Sequence, residues 1–219
     1  MIGDIVTYRQ FLIALVDTLY MVFVSLAIGS VLGFLLGIAL VVTRPGGVLA
    51  NRAVHAVLNP LINVARSVPF IILMVAILPV TRAIVHTTVG TEAAIVPLVV
   101  FIAPFIARLV ENSLLEVPHG IVEAAQSMGA SSWQIIGRFL IPEARGSLIL
   151  SVTTGTIGLI GATAMAGVVG GGGLGDLAIT YGYQRFDTPV MVVTVIVLVI
   201  LVQLIQGLGN ALARSSRRR

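Results

Sequence analysis

The feature that most constrains this chain is a long apolar run, residues 18–42, that contains no charged side chain. A helix needs about 20 predominantly apolar residues to cross the hydrocarbon core of a bilayer. The whole chain agrees with this reading, since it is 58% hydrophobic and 10% charged. A soluble domain carries about 25% charged residues. The sequence therefore predicts an all-α integral membrane protein, with residues 1–219 forming one transmembrane domain.

Four further apolar segments predict four more spans, which makes about five. They cover residues 59–80, 93–110, 148–169 and 189–212. The second segment is interrupted by Arg66, and an ionisable side chain at membrane depth is costly and often functional. We expect Arg66 to have a structural role, either by reaching the interface or by holding electrostatically the cytoplasmic loop that follows the third span.

The distribution of arginine predicts the orientation. Cytoplasmic ends carry an excess of basic residues, and the chain ends in a basic cluster. Its members are Arg214, Arg217, Arg218 and Arg219. We therefore expect a cytoplasmic C-terminus, an external N-terminus and a cytoplasmic loop over about residues 111–145. Asp4 and Asp17 replace the basic region of a signal peptide, so no cleaved leader is expected.

Several classes of function are disfavoured by residue types. All thirteen basic residues are arginine, and a P-loop requires a lysine, so any ATP must be bound by a partner chain. There is no cysteine, and His55, His86 and His119 are scattered without metal-ligand spacing. No basic face interleaved with aromatic residues suggests nucleic acid. We expect no catalytic residue, no metal, no cofactor and no nucleic-acid partner.

The loop over residues 111–145 has the local chemistry of two short helices. Pro118 suits a helix start, and Gly129 suits the residue after a helix end. Ser131 and Gln134 can form a capping box for a second helix, which Pro142 is expected to end. Its apolar residues are too many for a solvated connector, so they either pack on the bundle or enter a groove on a partner. They are Ala124, Ala125, Met128, Trp133, Ile135 and Ile136.

This loop resembles the EAA motif of binding-protein-dependent ABC importer permeases. The resemblance rests on Glu-Ala-Ala at 123–125, on Gly129, and on Phe-Leu-Ile-Pro at 139–142, with Phe139 and Ile141 as apolar departures from the usual pattern. It implies a type I ABC importer permease fold and a loop that docks in a cleft of a cytoplasmic ATPase subunit. The residues it assigns to this coupling are Glu123, Ala124, Ala125, Met128, Gly129, Leu140 and Pro142.

Other blocks are similar to the methionine importer permeases of bacterial plasma membranes. They are residues 43–46, 66–73, 103–112, 171–175 and 181–183. The resemblance implies transport of L- and D-methionine by alternating access, through a permease homodimer that works with an ATPase and an external solute-binding protein. The alternatives are another amino acid or small organic solute, an ion-coupled carrier, which would often show an internal repeat, and a membrane scaffold.

The resemblance also implies that the fourth span lines the route near a two-fold axis. Met165 lies there among small neighbours, and we expect it to act as a gate together with Ala162 and Thr163. Ordinary gap filling by methionine is the alternative.

Two glycine patterns allow further expectations. Gly29, Gly33 and Gly37 form small-residue steps that permit close helix packing. Glycines at 170–173 and 175 predict a flexible external turn. With Asp176, Arg185 and Asp187, that turn is a candidate docking surface for the binding protein.

Overall fold

The structure is a computed structural model that describes residue 3 and residues 6–217, with only the backbone of Arg217. Asp4, Arg218 and Arg219, which entered the predictions of topology, lie outside the described residues. Four helices are long and apolar enough to cross a membrane. They are α1 (Tyr8–Thr43), α5 (Thr91–Leu115), α9 (Arg145–Gly167) and α11 (Thr188–Arg217). The prediction of an all-α membrane protein is confirmed.

Shorter helices connect these spans. Between α1 and α5 lie α2 (Arg52–Ser67), α3 (Phe70–Ala76) and α4 (Leu78–Val85). Between α5 and α9 lie α6 (His119–Ser127), α7 (Ser132–Gln134), a π-helical turn (Ile135–Leu140) and α8 (Ile141–Glu143). Between α9 and α11 lie α10 (Gly173–Leu177) and a second π-helical turn (Ala178–Tyr183).

The first span begins earlier than its apolar run. Thr7 caps α1 through a capping box with Gln10, so the helix includes the polar residues before residue 18. At 1.5 Å per residue α1 is about 54 Å long, well beyond the roughly 30 Å hydrocarbon core.

Glycines bring α1 against α5, as predicted. A Cβ added at Gly33 would lie 2.8 Å from the carbonyl oxygen of Ala103, and one added at Gly37 would lie 2.6 Å from that of Ala107. Both distances are too short for a side chain, so only glycine allows the two backbones to approach this closely. The main apolar core lies between α1, α5 and α9.

The predicted second span is wrong as one continuous helix. It is divided into α2 and α3, which are bent by 102° at the break. Pro69 explains the break, because a residue before proline avoids helical dihedrals and Val68 is extended. The pair qualifies as a fifth span only as a broken one.

The glycine-rich run after α9 is packed and does not form the open, flexible turn that was predicted. Gly172 and Gly173 adopt positive φ angles of 75° and 78°. The Leu174 amide then donates to the hydroxyl of Thr18 at 2.8 Å. A Cβ at Gly175 would lie 2.4 Å from the carbonyl oxygen of Ala164. The glycines are needed because α10 folds back against α1 and α9.

Candidate functional site: the loop between α5 and α9

The loop that carries the EAA-like motif has the helix–turn–helix form expected of it. Pro118 caps α6, and Gly129 follows the helix end with a φ of 77°, a conformation that glycine adopts without strain. Ser131 accepts from the amide of Gln134, and the Gln134 side chain accepts from the Ser131 amide at 2.8 Å. The predicted capping box is confirmed.

Pro142 does not end the second helix, which corrects our prediction. The helix passes through the π-helical turn, where the Ile141 amide donates to the carbonyl of Ile136, and Pro142 then occupies the first turn of α8. A proline ring in an ordinary helix clashes with the carbonyl four residues before it. The wider π-turn avoids this clash, so the chain continues through α8 almost directly into α9.

The sequence left open whether the apolar residues of the loop pack on the bundle or face a partner, and the structure shows both buried and exposed ones. Ala125, Ile135, Ile136 and Leu140 are buried in the main core. Met128 and Trp133 remain 71% and 77% exposed. The loop is thus fixed to the bundle on one side while it presents apolar side chains on the other, and large exposed apolar side chains often mark a surface for a partner.

The predicted coupling residues follow the same division. Glu123, Ala124, Met128 and Gly129 are exposed, Pro142 is half-buried, and Ala125 and Leu140 are buried. Ala125 and Leu140 can therefore act only by seating the loop, because a partner cannot reach their side chains. The contact of the exposed residues with an ATPase stays a prediction.

Two hydrogen bonds join the loop to the start of α9. The Ser147 hydroxyl donates to a Glu116 carboxylate oxygen at 2.8 Å. The Arg145 guanidinium donates to the carbonyl oxygen of Pro142, also at 2.8 Å. A displacement of the loop would consequently reach α9 through bonded groups as well as through packing.

The predicted gate residues do not share one face of α9. Met165 is 41% exposed, whereas Ala162 and Thr163 are buried. The Thr163 hydroxyl donates to the carbonyl of Ile160 at 2.7 Å, so it is engaged within its own helix. Met165 lies with Gly161 on a face that the rest of the chain leaves uncovered. Its role as a gate stays a prediction, and the coupling loop lies at the opposite end of α9.

Sequence reasoning missed a polar cluster that joins α2 to α5. The Arg108 guanidinium donates to the carboxylate of Glu111 and to the amide oxygens of Asn59 at 2.8 Å and Asn63 at 2.7 Å. The three-residue spacing between Arg108 and Glu111 was the available signal, because such residues are neighbours on a helix.

Arg66 does not contact the loop, so the expected electrostatic pin is not found among the described contacts. Its guanidinium carbon lies 5.9 Å from the centroid of the Phe105 ring on α5. Phe105 stacks on Phe101, whose ring packs edge-on against Phe70 of α3. The side chain of Arg66 is therefore held beside an aromatic row at the break between α2 and α3.

The external docking candidates are partly engaged within the chain. The Arg185 guanidinium carbon lies 4.8 Å from the Tyr181 ring centroid, and the buried Asp187 accepts from the amide of Val190. Within the described part of the chain, no group of three acidic, histidine or cysteine residues could hold a metal ion.

The chain is similar in sequence to known transport proteins. Residues 29–218 match the family described as binding-protein-dependent transport system inner membrane component. A probable D-methionine transport system permease protein of Vibrio cholerae is 54% identical over 198 residues, which is 90% of this chain and 88% of that protein. The D-methionine transport system permease protein of Escherichia coli K12 is 49% identical over 151 residues, covering 69% and 70% respectively.

Solved structures give the same fold. An inward-facing methionine ABC transporter has a chain that superposes with a TM-score of 0.93 at 45% identity, covering 96% of this chain and 99% of that one. An amino acid ABC transporter with histidines superposes with a TM-score of 0.78 at 18% identity, covering 96% and 94%. The second likeness shows the fold alone. The predicted type I importer permease fold is confirmed.

Proposed function

This chain belongs to the family of binding-protein-dependent transport system inner membrane components, and we propose that it is the permease subunit of an ATP-driven methionine importer. The observation that carries the proposal is the loop between α5 and α9. It is seated in the core by Ala125 and Leu140 while Met128 and Trp133 remain exposed. Large apolar side chains exposed on a loop often mark a surface that binds a partner protein.

Coupling would work through this loop. An ATPase subunit that closes on ATP would move α6, and the buried side chains would carry the motion into the bundle. The bonds from Ser147 and Arg145 transfer it to α9. Because α9 also carries Met165 on its uncovered face, the same movement would open or close the route at its far end.

The assembly we propose has two copies of this chain. The uncovered face of α9 carries small residues and Met165, and a second copy across a two-fold axis would enclose a route between two such faces. Two ATPase subunits would bind the cytoplasmic loops, and a solute-binding protein would dock outside. ATP binding is assigned to the partner because this chain has no lysine for a P-loop. We assign no cofactor or catalytic step to the permease itself.

We propose that the subunit lies in a bacterial plasma membrane with an external N-terminus and a cytoplasmic C-terminus. Arginine asymmetry supports this orientation, since the coupling loop and the end of α11 then share the cytoplasmic side. Methionine is the proposed cargo because both compared permeases are named for D-methionine transport and the matching transporter structure is named for methionine. Another amino acid is the alternative cargo.

Uptake of labelled L- and D-methionine tests the proposal. The chain is expressed with its ATPase and binding protein in cells that lack their own importer. Glu123→Ala and Gly129→Val should reduce uptake strongly, because one alters the exposed face of α6 and the other strains its turn. Gln126→Ala, an exposed change in the same helix, is the matched control. Uptake that persists without the ATPase would instead favour an ion-coupled carrier.

A further inference from the structure

The second helix has two different exposed faces, which is unusual for a helix in a membrane. One face is apolar and carries Val54, Val57, Leu61 and Val64, all exposed. The opposite face is polar and carries Arg52, Asn63, Arg66 and Ser67, also exposed. At 3.6 residues per turn these two faces lie on opposite sides of the helix. The apolar face suits lipid, so the polar face must look toward protein or water.

Arg66, on that polar face, lies level with the middle of α5. Its guanidinium is next to Phe105, which is close to the middle of α5. A Cβ built at Gly158 would lie 3.9 Å from the Phe105 ring, and Gly158 is close to the middle of α9. Because α5 is long enough to cross a membrane, its middle should lie near the level of the bilayer midplane, where secondary transporters hold their substrates.

The guanidinium has no acidic partner among the described residues. The ion pair found there joins Arg108 to Glu111, whereas Arg66 has only the Phe105 ring as its described partner. An unpaired charge at this depth is costly unless it faces a water-filled cavity or a ligand. The aromatic ring fixes the position of the guanidinium by a cation–π contact and leaves its donors free.

The Phe105 ring that contacts Arg66 is also close to Gly158, on the helix that carries the candidate gate. Gly158 and Met165 are seven residues apart on α9, so they lie on one side of the helix and about 10 Å apart along its axis. Met165 is toward the end of α9 that precedes the glycine-rich run, and Arg66 is further along the route toward the coupling loop. A solute that passed Met165 would next meet an unpaired guanidinium.

We infer that Arg66 binds the carboxylate of the amino-acid substrate at mid-membrane during translocation. Arginine presents a planar fork of donors that matches a carboxylate in a bidentate manner. The Phe105 ring supports the guanidinium from one side. The inference rests on the proposed function, since it requires that an amino acid crosses at this face.

The test uses the full complex with its ATPase and binding protein in proteoliposomes, and it measures substrate taken up per ATP hydrolysed. Arg66→Gln should lower this ratio about ten-fold, the usual effect of losing a charge-assisted contact. Arg66→Lys keeps the positive charge but loses the planar fork of donors. Its uptake per ATP hydrolysed should therefore lie between the values for the unaltered complex and for Arg66→Gln. Arg52→Gln, at the other end of the same helix, should leave the ratio unchanged.

The outcomes separate this inference from the proposed function. If the unaltered complex transports another amino acid and not methionine, methionine is wrong as the proposed cargo. The Arg66 variants are then tested with that other amino acid. An unchanged ratio in Arg66→Gln would overturn the inference. So would uptake that falls only in step with assembly or ATP hydrolysis, since that is a structural effect. A loss seen only in liposomes of anionic lipid would assign Arg66 to a lipid phosphate and also overturn it.

Discussion

Ser147, in the first turn of α9, donates a hydrogen bond of 2.8 Å to Glu116, the residue that caps the end of α5. The bond closes the two ends of the coupling loop onto each other. In the proposed mechanism, a displacement of α6 would reach α5 and α9 together through this bond.

Removing this bond should weaken coupling without preventing folding. Ser147→Ala leaves an exposed Glu116 carboxylate that water can solvate, so the expected cost to stability is small, about 1 kcal/mol. Methionine uptake per ATP hydrolysed should fall a few-fold while complex yield stays the same. Ser132→Ala, in α7, is the control because its hydroxyl makes no described bond across the loop. Equal coupling in both variants would contradict the assigned role.

A side chain added at the glycines of α1 that contact α5 should disrupt the packing of the two helices. Gly37→Val places a Cβ where the Ala107 carbonyl oxygen lies, 2.6 Å away, and backbone cannot move aside cheaply. We expect a large loss of folded protein after detergent extraction, measured by size-exclusion chromatography. Gly207→Ala, where no atom lies within 4 Å of the added Cβ, should extract like the unaltered protein. Normal recovery of Gly37→Val would mean that the helices do not approach this closely.

Sequence reasoning found the spans because hydropathy over a window is enough to identify them. It also found the capping box at Ser131, because that motif depends on neighbours in sequence. Pro69 indicates an interrupted helix, but the sequence could not predict a bend of 102°, because apolar residues continue on both sides of the proline and hydropathy carries no direction. It could not separate Ala125 from Met128 either. Which side of α6 is buried depends on contacts with distant helices, and those contacts appear only in the folded chain.

The polar cluster between α2 and α5 should contribute to the stability of the folded protein. Arg108→Met leaves the buried Glu111 without its cation, and breaking a buried pair in this way costs about 3–5 kcal/mol. The thermal unfolding temperature of the complex should drop clearly. Replacing both residues, as Arg108→Met with Glu111→Leu, should recover part of that loss because no buried charge remains. A double variant that is less stable than the single one would show that Asn59 and Asn63 depend on the guanidinium.

Met165 should restrict passage along the uncovered face of α9. It is 41% exposed and stands on the same face as Gly161, so its side chain is the largest obstacle on that segment. Met165→Ala should raise methionine leak in proteoliposomes without ATP, or increase ATP hydrolysis without uptake, because the route is closed less completely. Met165→Leu keeps the volume and should behave like the unaltered protein.

A matched change on the buried side of α9 separates gating from general disturbance of the helix. Ala162 is buried against the core, and Ala162→Gly removes packing without altering the exposed face. It should lower thermal stability modestly and leave the leak unchanged. If Ala162→Gly leaks as much as Met165→Ala, loosened packing of α9 explains both results. If neither leaks, the face that carries Met165 is not where the route closes.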